Sequence, residues 1–482
     1  MVYLKDYVTE PAAWSESHFA RLKLGDARLS NRAVKIAKQL ALMPGVNLPS
    51  WSFGWAAAKS NYRFFSNPKV SPDGLRKTHQ DGCMLEMSNT PITLLLEDTS
   101  DFSWSGKDPI SGLGPIGTGS GKQQGFKLQS VLAVKWPDEV SQSPETRRPD
   151  LDVIGLAHQE FFVRAKKKAK TKSRQRVRGA QFSESDVWKR SSFAIGPAPR
   201  NVRWVRVCDR GADIFDFLRS CESSKHGFIV RAKTNRCLVN PETGEKAGKL
   251  FDVAKQTPAS GKFDLNLRKR KAQDARVAHL NVSATRVALR STEQVGHAAG
   301  FEPPVECSLV RVWEEPGEGI KKPLQWFLLC DQTILTFDHA MECALQYAAR
   351  WFIEELHKGI KTGLTAERLQ FETADALFPA IAMMSIVAIR LVSFRERLRM
   401  HATAPVVQSG LSSEELQVLE IKTKRTLKIV ADVALAIGAL GGHLGRKGDG
   451  LPGWITLWRG MTRLRDLTEG FIMTPKANPN NT

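Results

Sequence analysis

The chain has 482 residues, 42% of them hydrophobic, which is enough for about three domains with real cores. Seventy Lys and Arg against fifty Asp and Glu leave a formal charge of +20. Solubility alone does not call for so much, and the charge points to a polyanionic partner. No apolar run approaches the ~20 residues of a membrane-spanning helix, so nucleic acid is favoured over a membrane.

The N-terminal "MVYLKDYVTEPAAW" lacks the basic start, apolar centre and small-residue cleavage site of a signal peptide, which predicts a cytoplasmic protein. The first 75 residues read as helical. "GDARLSNRAVKIAKQLALMPG" starts with Asp26 as N-cap and ends at a Pro-Gly breaker. Its wheel gathers Arg28, Arg32 and Lys35 on one side and Ala33, Ile36, Ala37 and Leu40 on another. With the helical "WAAAKSNYRFFSNP" that follows, this suits a small helical DNA-binding domain at 1–75, although a merely solvated face reads the same way.

After Ser71-Pro72, "GLRKTHQDGCMLEM" predicts a helix and "TPITLLLEDTS" a buried strand, with Asp98 where that apolar strand ends. Further strands are expected at "FKLQSVLAVKW" and "LDVIGLAHQEFFVR". Nine of the fifteen residues from Arg164 to Arg178 are basic and none is acidic, a run that can meet phosphates inside a domain or simply be solvated. "VRWVRVCDRGADIFDFLRS" repeats the earlier design: an apolar strand ending in Asp209, then a helix. Alternating apolar and polar positions from about 238 to 325 predict a mostly antiparallel β insertion. The run at 376–392, interrupted by Pro379, Ser385 and Arg390, reads as a buried core helix, and the chain from 397 to 482 is helical again. The seven cysteines are scattered without Cys-x-x-Cys or zinc spacing and are expected to be free thiols, mostly buried.

Between 347 and 363 the sequence reads "YAARWFIEELHKGIKTG". On an uninterrupted helix Tyr347, Arg350, Glu354, Lys358 and Lys361 fall within roughly 80° of arc, opposite Phe352, Ile353, Leu356 and Ile360. Two aspartates at strand ends and a glutamate on a helix are the oxygen ligands that a two-metal phosphoryl-transfer site needs. Asp98, Asp209 and Glu354 are therefore the candidate catalytic and metal-binding residues. Each aspartate taken singly is more often a plain cap.

The spacing Y-x2-R-x3-E-x6-K, read at Tyr347, Arg350, Glu354 and Lys361, resembles the motif of bacterial cut-and-paste insertion-sequence transposases with an RNase H-like DDE core. "LLLEDTS" and "VCDRGAD" resemble the two aspartate segments of that family, "IGLAHQEFFVR" the strand between them, and "WFIEELHKGIKTGLTAERL" its glutamate helix. The likeness runs over nearly the whole chain.

The resemblance implies an α/β fold: an RNase H-like catalytic domain at 76–396 with its β insertion, flanked by the N-terminal helical domain and a C-terminal helical dimerisation domain at 397–482. It implies two Mg2+ ions, with Mn2+ able to substitute, held by Asp98, Asp209 and Glu354. Tyr347, Arg350, Lys358 and Lys361 would contact DNA phosphates, with further DNA contacts at Arg210, Arg231 and Lys233. Trp326 in "LQWFLLCD" would stack on a flipped base during hairpin formation, although an aromatic in an apolar strand is more often core. The implied activity is strand nicking, hairpin formation and resolution at element ends, and joining of 3′-OH ends to target DNA. The implied partners are terminal inverted repeats, target DNA and a second copy of the chain in a synaptic dimer at the bacterial nucleoid. The alternatives are a nuclease of the same fold, a catalytically inactive DNA-binding regulator, and a hydrolase of small phosphate esters, which the +20 charge disfavours.

Overall fold

The computed structural model describes residues 11–52, 54–105, 109–117, 123–137, 151–164, 184–267, 276–290, 303–317, 320, 322–446 and 449–473. Of the basic run at 164–179 only Arg164 is among them, and the remainder lies outside the described residues.

In chain order the helices α1 (Pro11–Phe19), α2 (Ala27–Leu42), α3 (Leu48–Trp51), α4 (Trp55–Phe65) and α5 (Pro72–Ser88) come first. The strands β1 (Ile92–Trp104), β2 (Gly114–Pro115), β3 (Gln124–Lys135) and β4 (Asp152–Phe162) follow, then α6 (Asp186–Ile195), β5 (Arg203–Cys208), α7 (Phe215–Ser223) and β6 (Gly227–Arg231). Next are β7 (Cys237–Val239), β8 (Lys246–Lys249), α8 (Leu250–Gln256), β9 (Gly261–Leu267), β10 (Arg276–Leu289), β11 (Val305–Glu314) and β12 (Gln325–Cys330). The rest is helical: α9 (Phe337–Ala348), α10 (Trp351–Lys358), α11 (Ala374–Met400), α12 (Ser413–Thr423), α13 (Val430–Leu440) and α14 (Trp454–Met473).

Local chemistry explains many of these boundaries. The Asp26 carboxylate accepts the Arg28 N–H at 2.9 Å and starts α2, as its position before the apolar periodicity predicts. Thr336 and Thr373 cap α9 and α11 in the same way, and Ser412 with Glu415 forms a complete capping box on α12.

Contacts divide the chain into two compact units. One comprises the chain up to Gly82, Phe102–Phe126 and everything from Glu355 onward; the other comprises Cys83–Asp101 and Lys127–Glu354.

The second unit is built on a mixed sheet in which the strands run β3-β1-β5-β6-β12-β11-β10-β7-β8, with β4 on β3 and β9 on β10. Strands β1, β5 and β6 are parallel, and β6, β12, β11 and β10 continue it antiparallel. The alternating segments expected between 238 and 325 are β9, β10 and β11, paired antiparallel; the short helix α8 inside that span has no counterpart in the strand pattern. One core cluster lies under α7 and α8 around Phe217, Phe228, Leu309 and Leu329, and another under α5 and α6 around Met87, Leu95 and Trp204.

In the first unit α11 is the central element, buried against α2, α4, α13 and α14. By length and composition this helix is long and apolar enough to cross a membrane, which corrects the composition reading. Its apolar window is 94% buried, which is the situation of a core helix. Helices α13 and α14 meet backbone to backbone: a Cβ on Gly460 would stand 1.8 Å from the Ile437 carbonyl oxygen, so only glycine fits there.

The stretch from 347 to 363 is not the single helix that its periodicity predicts. Helix α9 ends at Ala348, Ala349 and Arg350 form a turn, α10 runs to Lys358, and Gly359–Gly363 closes as a π turn. Tyr347 is therefore the buried end of α9, at 5% exposure, rather than part of an exposed polar row. The apolar half of the pattern holds: Phe352, Ile353, Leu356 and Ile360 are all buried. Side-chain contacts, described next, decide where the wheel fails.

Candidate functional site

The register of β1 against β5 ends with Glu97 opposite Cys208, so Asp98 and Asp209 are the next residues on adjacent parallel strands. β1 itself continues to Trp104, so Asp98 stands where the parallel pairing stops rather than where the strand stops. Both aspartates are half-buried. Asp98 Oδ1 accepts the Thr99 N–H at 2.8 Å, and Asp209 Oδ1 accepts the Gly211 N–H at 2.7 Å, holding the turn that follows β5. They line one open cleft of about 390 Å3, together with Thr99, Lys127, Gln129 and Lys233.

Arg350 connects the glutamate to this pair. From the break between α9 and α10 its guanidinium donates to Asp98 Oδ2 at 3.2 Å and to Glu354 Oε1 at 2.5 Å. Glu354 is half exposed, at 51% of its side chain. Burial pushes the Asp98 carboxyl up to about 6, opposed by Arg350 and reinforced by Asp209 and Glu354. Burial also works against the Arg350 charge, but Tyr347 and the acidic groups Asp98, Glu354 and Asp209 outweigh it and hold the guanidinium above its ordinary value.

A second group lies along β12. Trp326 meets the Tyr347 ring edge-on, with centroids 5.0 Å apart at 68°. Burial raises the Tyr347 hydroxyl, with Arg350 and Arg231 opposing. Arg231, at the end of β6, also donates to the Gln325 carbonyl at 2.9 Å. Lys233 is exposed at the cleft, with its backbone N–H fixed by Asp213 Oδ2 at 2.7 Å. Arg210 is exposed in the turn after Asp209 and is not among the cleft-lining residues. Lys358 and Lys361 belong to the first unit. Lys358 is exposed at the end of α10, and the Lys361 ammonium lies 4.8 Å above the Phe102 ring.

The residues that sequence reasoning passed over sit behind the aspartates. Glu97 and Arg206 are completely buried and form an ion pair on the sheet face opposite Asp98 and Asp209. Gln129 donates to Glu97 Oε1 at 2.6 Å, Ser191 donates to the same oxygen, and Arg206 donates to Ser192 Oγ at 2.9 Å. Thr99 bonds to Gln129, which links the network to the cleft. The available signal was one charge of each sign inside the apolar segments "LLLED" and "WVRVCD".

The donor set is all carboxylate oxygen, the chemistry that a hard divalent cation prefers. Geometrically the set is not closed: among the described residues no three acidic or imidazole groups gather at metal-binding distance, and Arg350 stands between Asp98 and Glu354.

Residues 11–70, spanning α1 to α4, match the family model described as Transposase DNA-binding. The match supports a transposase with DNA as its partner.

Proposed function

We propose that the protein is a DDE transposase that cuts its element free and joins the 3′-OH ends to target DNA. The observation that carries this reading is the convergence of Asp98 and Asp209, by strand register, with Glu354, through Arg350, where the parallel pairing of two central strands stops, in a chain whose N-terminal helices match a transposase DNA-binding model. The mixed sheet then serves as an RNase H-like core carrying a β insertion, with the N-terminal helices gripping terminal inverted repeats and the helices beyond 397 pairing two copies in a synaptic dimer. Such a protein works at the bacterial nucleoid.

Asp98, Asp209 and Glu354 would hold two Mg2+ ions, or Mn2+ in their place. Those ions would supply charge neutralisation at the phosphoryl group of an in-line displacement. The remaining roles fall to side chains alone. Arg350, Lys358 and Lys361 neutralise strand phosphates, Tyr347 orients the strand, and Arg210, Arg231 and Lys233 extend the basic surface. Trp326 stacks on a base turned out of the duplex, so that the freed 3′ hydroxyl can reach the opposite strand and close a hairpin. One site serves nicking, hairpin closure, hairpin opening and strand transfer in turn.

The test is excision from a plasmid carrying the natural flanks of the gene, with Mg2+, comparing wild type with Glu354→Ala. Release at both flanks, absent in the variant, supports the reading. Tight flank binding without cutting by either protein would replace it with the reading of a catalytically inactive DNA-binding regulator.

A further inference from the structure

Among the described residues the carboxylates proposed to bind metal do not gather at one point, and one side chain stands between two of them. The Arg350 guanidinium, 16% exposed, donates one nitrogen to Asp98 and another to Glu354, so both acids face an arginine rather than each other. Three features make this pairing firm. Arg350 sits in the turn between α9 and α10, where its own backbone N–H bonds the Tyr347 carbonyl at 3.1 Å. Burial strengthens its charge-assisted bond to Asp98. Tyr347, buried and packed edge-on against Trp326, neighbours the guanidinium and favours its charge.

A guanidinium that donates to two carboxylates can equally donate to the two non-bridging oxygens of a phosphodiester, whose opposite charge and oxygen spacing suit its planar fork of N–H groups. We propose that Arg350 is a latch: it holds Asp98 and Glu354 away from divalent cations until a strand phosphate takes it over, so that the DNA itself completes the cation site. This rests on the transposase reading above and deepens it by assigning an order of binding. The consequence is protective. A nuclease site that gathers its metal only on bound DNA does not act in free solution. Linkage also makes the effect reciprocal, since any factor by which DNA raises cation affinity is the factor by which the cation raises DNA affinity.

The test measures Mn2+ binding to the full chain by electron paramagnetic resonance, without DNA, in wild type, Arg350→Gln, Arg350→Lys and Asp98→Asn. A lysine keeps the charge but satisfies one carboxylate at a time. Both Arg350 variants should bind Mn2+ about tenfold more tightly than wild type, the scale of an ordinary coupling between sites, and Asp98→Asn should bind most weakly. In the second arm, a fluorescent duplex ending at the element tip should bind wild type about tenfold more tightly with Mn2+ than without, and Arg350→Lys should lose that gain. Equal Mn2+ affinity in wild type and Arg350→Lys, with Asp98→Asn impaired, overturns the latch and leaves the metal site standing. Equal Mn2+ affinity in wild type and Asp98→Asn removes the metal site, and the latch falls with it.

Discussion

Asp98 and Asp209 are neighbours because Glu97 and Cys208 are the last paired residues of two parallel strands. The pair is thus fixed by backbone register, and whatever fixes the register fixes the acids. Behind them the buried Glu97–Arg206 ion pair ties β1 to β5 and, through Ser191 and Ser192, to α6.

Removing one member of that pair leaves an uncompensated charge in the core. Arg206→Met should cost about 3–5 kcal/mol of stability, whereas Glu97→Leu combined with Arg206→Met should cost much less than the sum of the single changes. Urea unfolding of the three variants checks this. Additive losses would mean that the two charges are not coupled.

Trp326 meets Tyr347 edge-on and is only half-buried, so its free face can take another ring. Trp326→Ala should nick element ends at close to the normal rate and close hairpins at least tenfold more slowly, given that base–aromatic stacking is worth about 1–3 kcal/mol. Resolving nicked and hairpin products on a denaturing gel separates the steps. Hairpins at the wild-type rate would return Trp326 to a packing role.

Association with any duplex should weaken steeply with salt, with a log–log slope of about −0.9 per phosphate contacted. Basic residues proposed as phosphate contacts should each lower that slope on substitution: Lys233→Ala by about one contact. A flat salt response would leave the +20 charge without its DNA explanation.

Much of the second unit could be read from the sequence, because an apolar run broken by a sudden acid marks where buried parallel pairing stops, even though β1 itself runs on to Trp104. Asp98 and Asp209 were placed that way, and so was the buried face of α10. What could not be read depends on contacts between distant segments. Tyr347 and Arg350 fit a single helical wheel, yet Tyr347 ends one helix against Trp326 while Arg350 stands in the turn after it, bonded to Asp98. Glu97 beside Asp98 gave no hint of its partner, since the register that brings Arg206 to it is set by two strands more than a hundred residues apart. The membrane-like composition of α11 illustrates the same limit: periodicity does not say what covers a helix.

His18 and His79 face each other with Nδ1 atoms 3.3 Å apart. Burial lowers His79 to about 3, with His18 adding, and burial lowers His18 to about 4, with Arg390 adding. Both are neutral in the folded protein near pH 7. Below about 6.5 the unfolded chain takes up protons that the folded one refuses, so stability is full above that pH and is lost as pH falls towards 4. His79, buried, should account for about 2 kcal/mol of loss between pH 7 and 5, and the more exposed His18 for less. Urea midpoints across that range should fall in wild type and fall less in His79→Gln. An equal fall in both would assign the acid sensitivity elsewhere.

Arg390 presents the opposite case to Arg206: a buried charge with no acid to meet it. It is 1% exposed at the centre of α11, and among the described residues none of its three guanidinium nitrogens has a hydrogen-bond partner. The Trp14 and Trp458 rings lie 5.2 and 5.5 Å from it, which offers cation–π attraction, but ring faces leave its N–H groups without acceptors. Burial lowers its pKa to about 9 and Arg465 adds to the shift, a sign that the surroundings oppose the charge. Methionine has a similar reach and suits a site between two indoles. Arg390→Met should therefore be neutral or stabilising, by about 1–2 kcal/mol, because no buried partner is left behind when the charge goes. Arg390→Glu, which buries a carboxylate against the indole faces, should fail to fold or lose several kcal/mol. Thermal melts of the two variants decide it, and a marked loss of stability in Arg390→Met would show that the guanidinium has an acceptor that the two tryptophans do not provide.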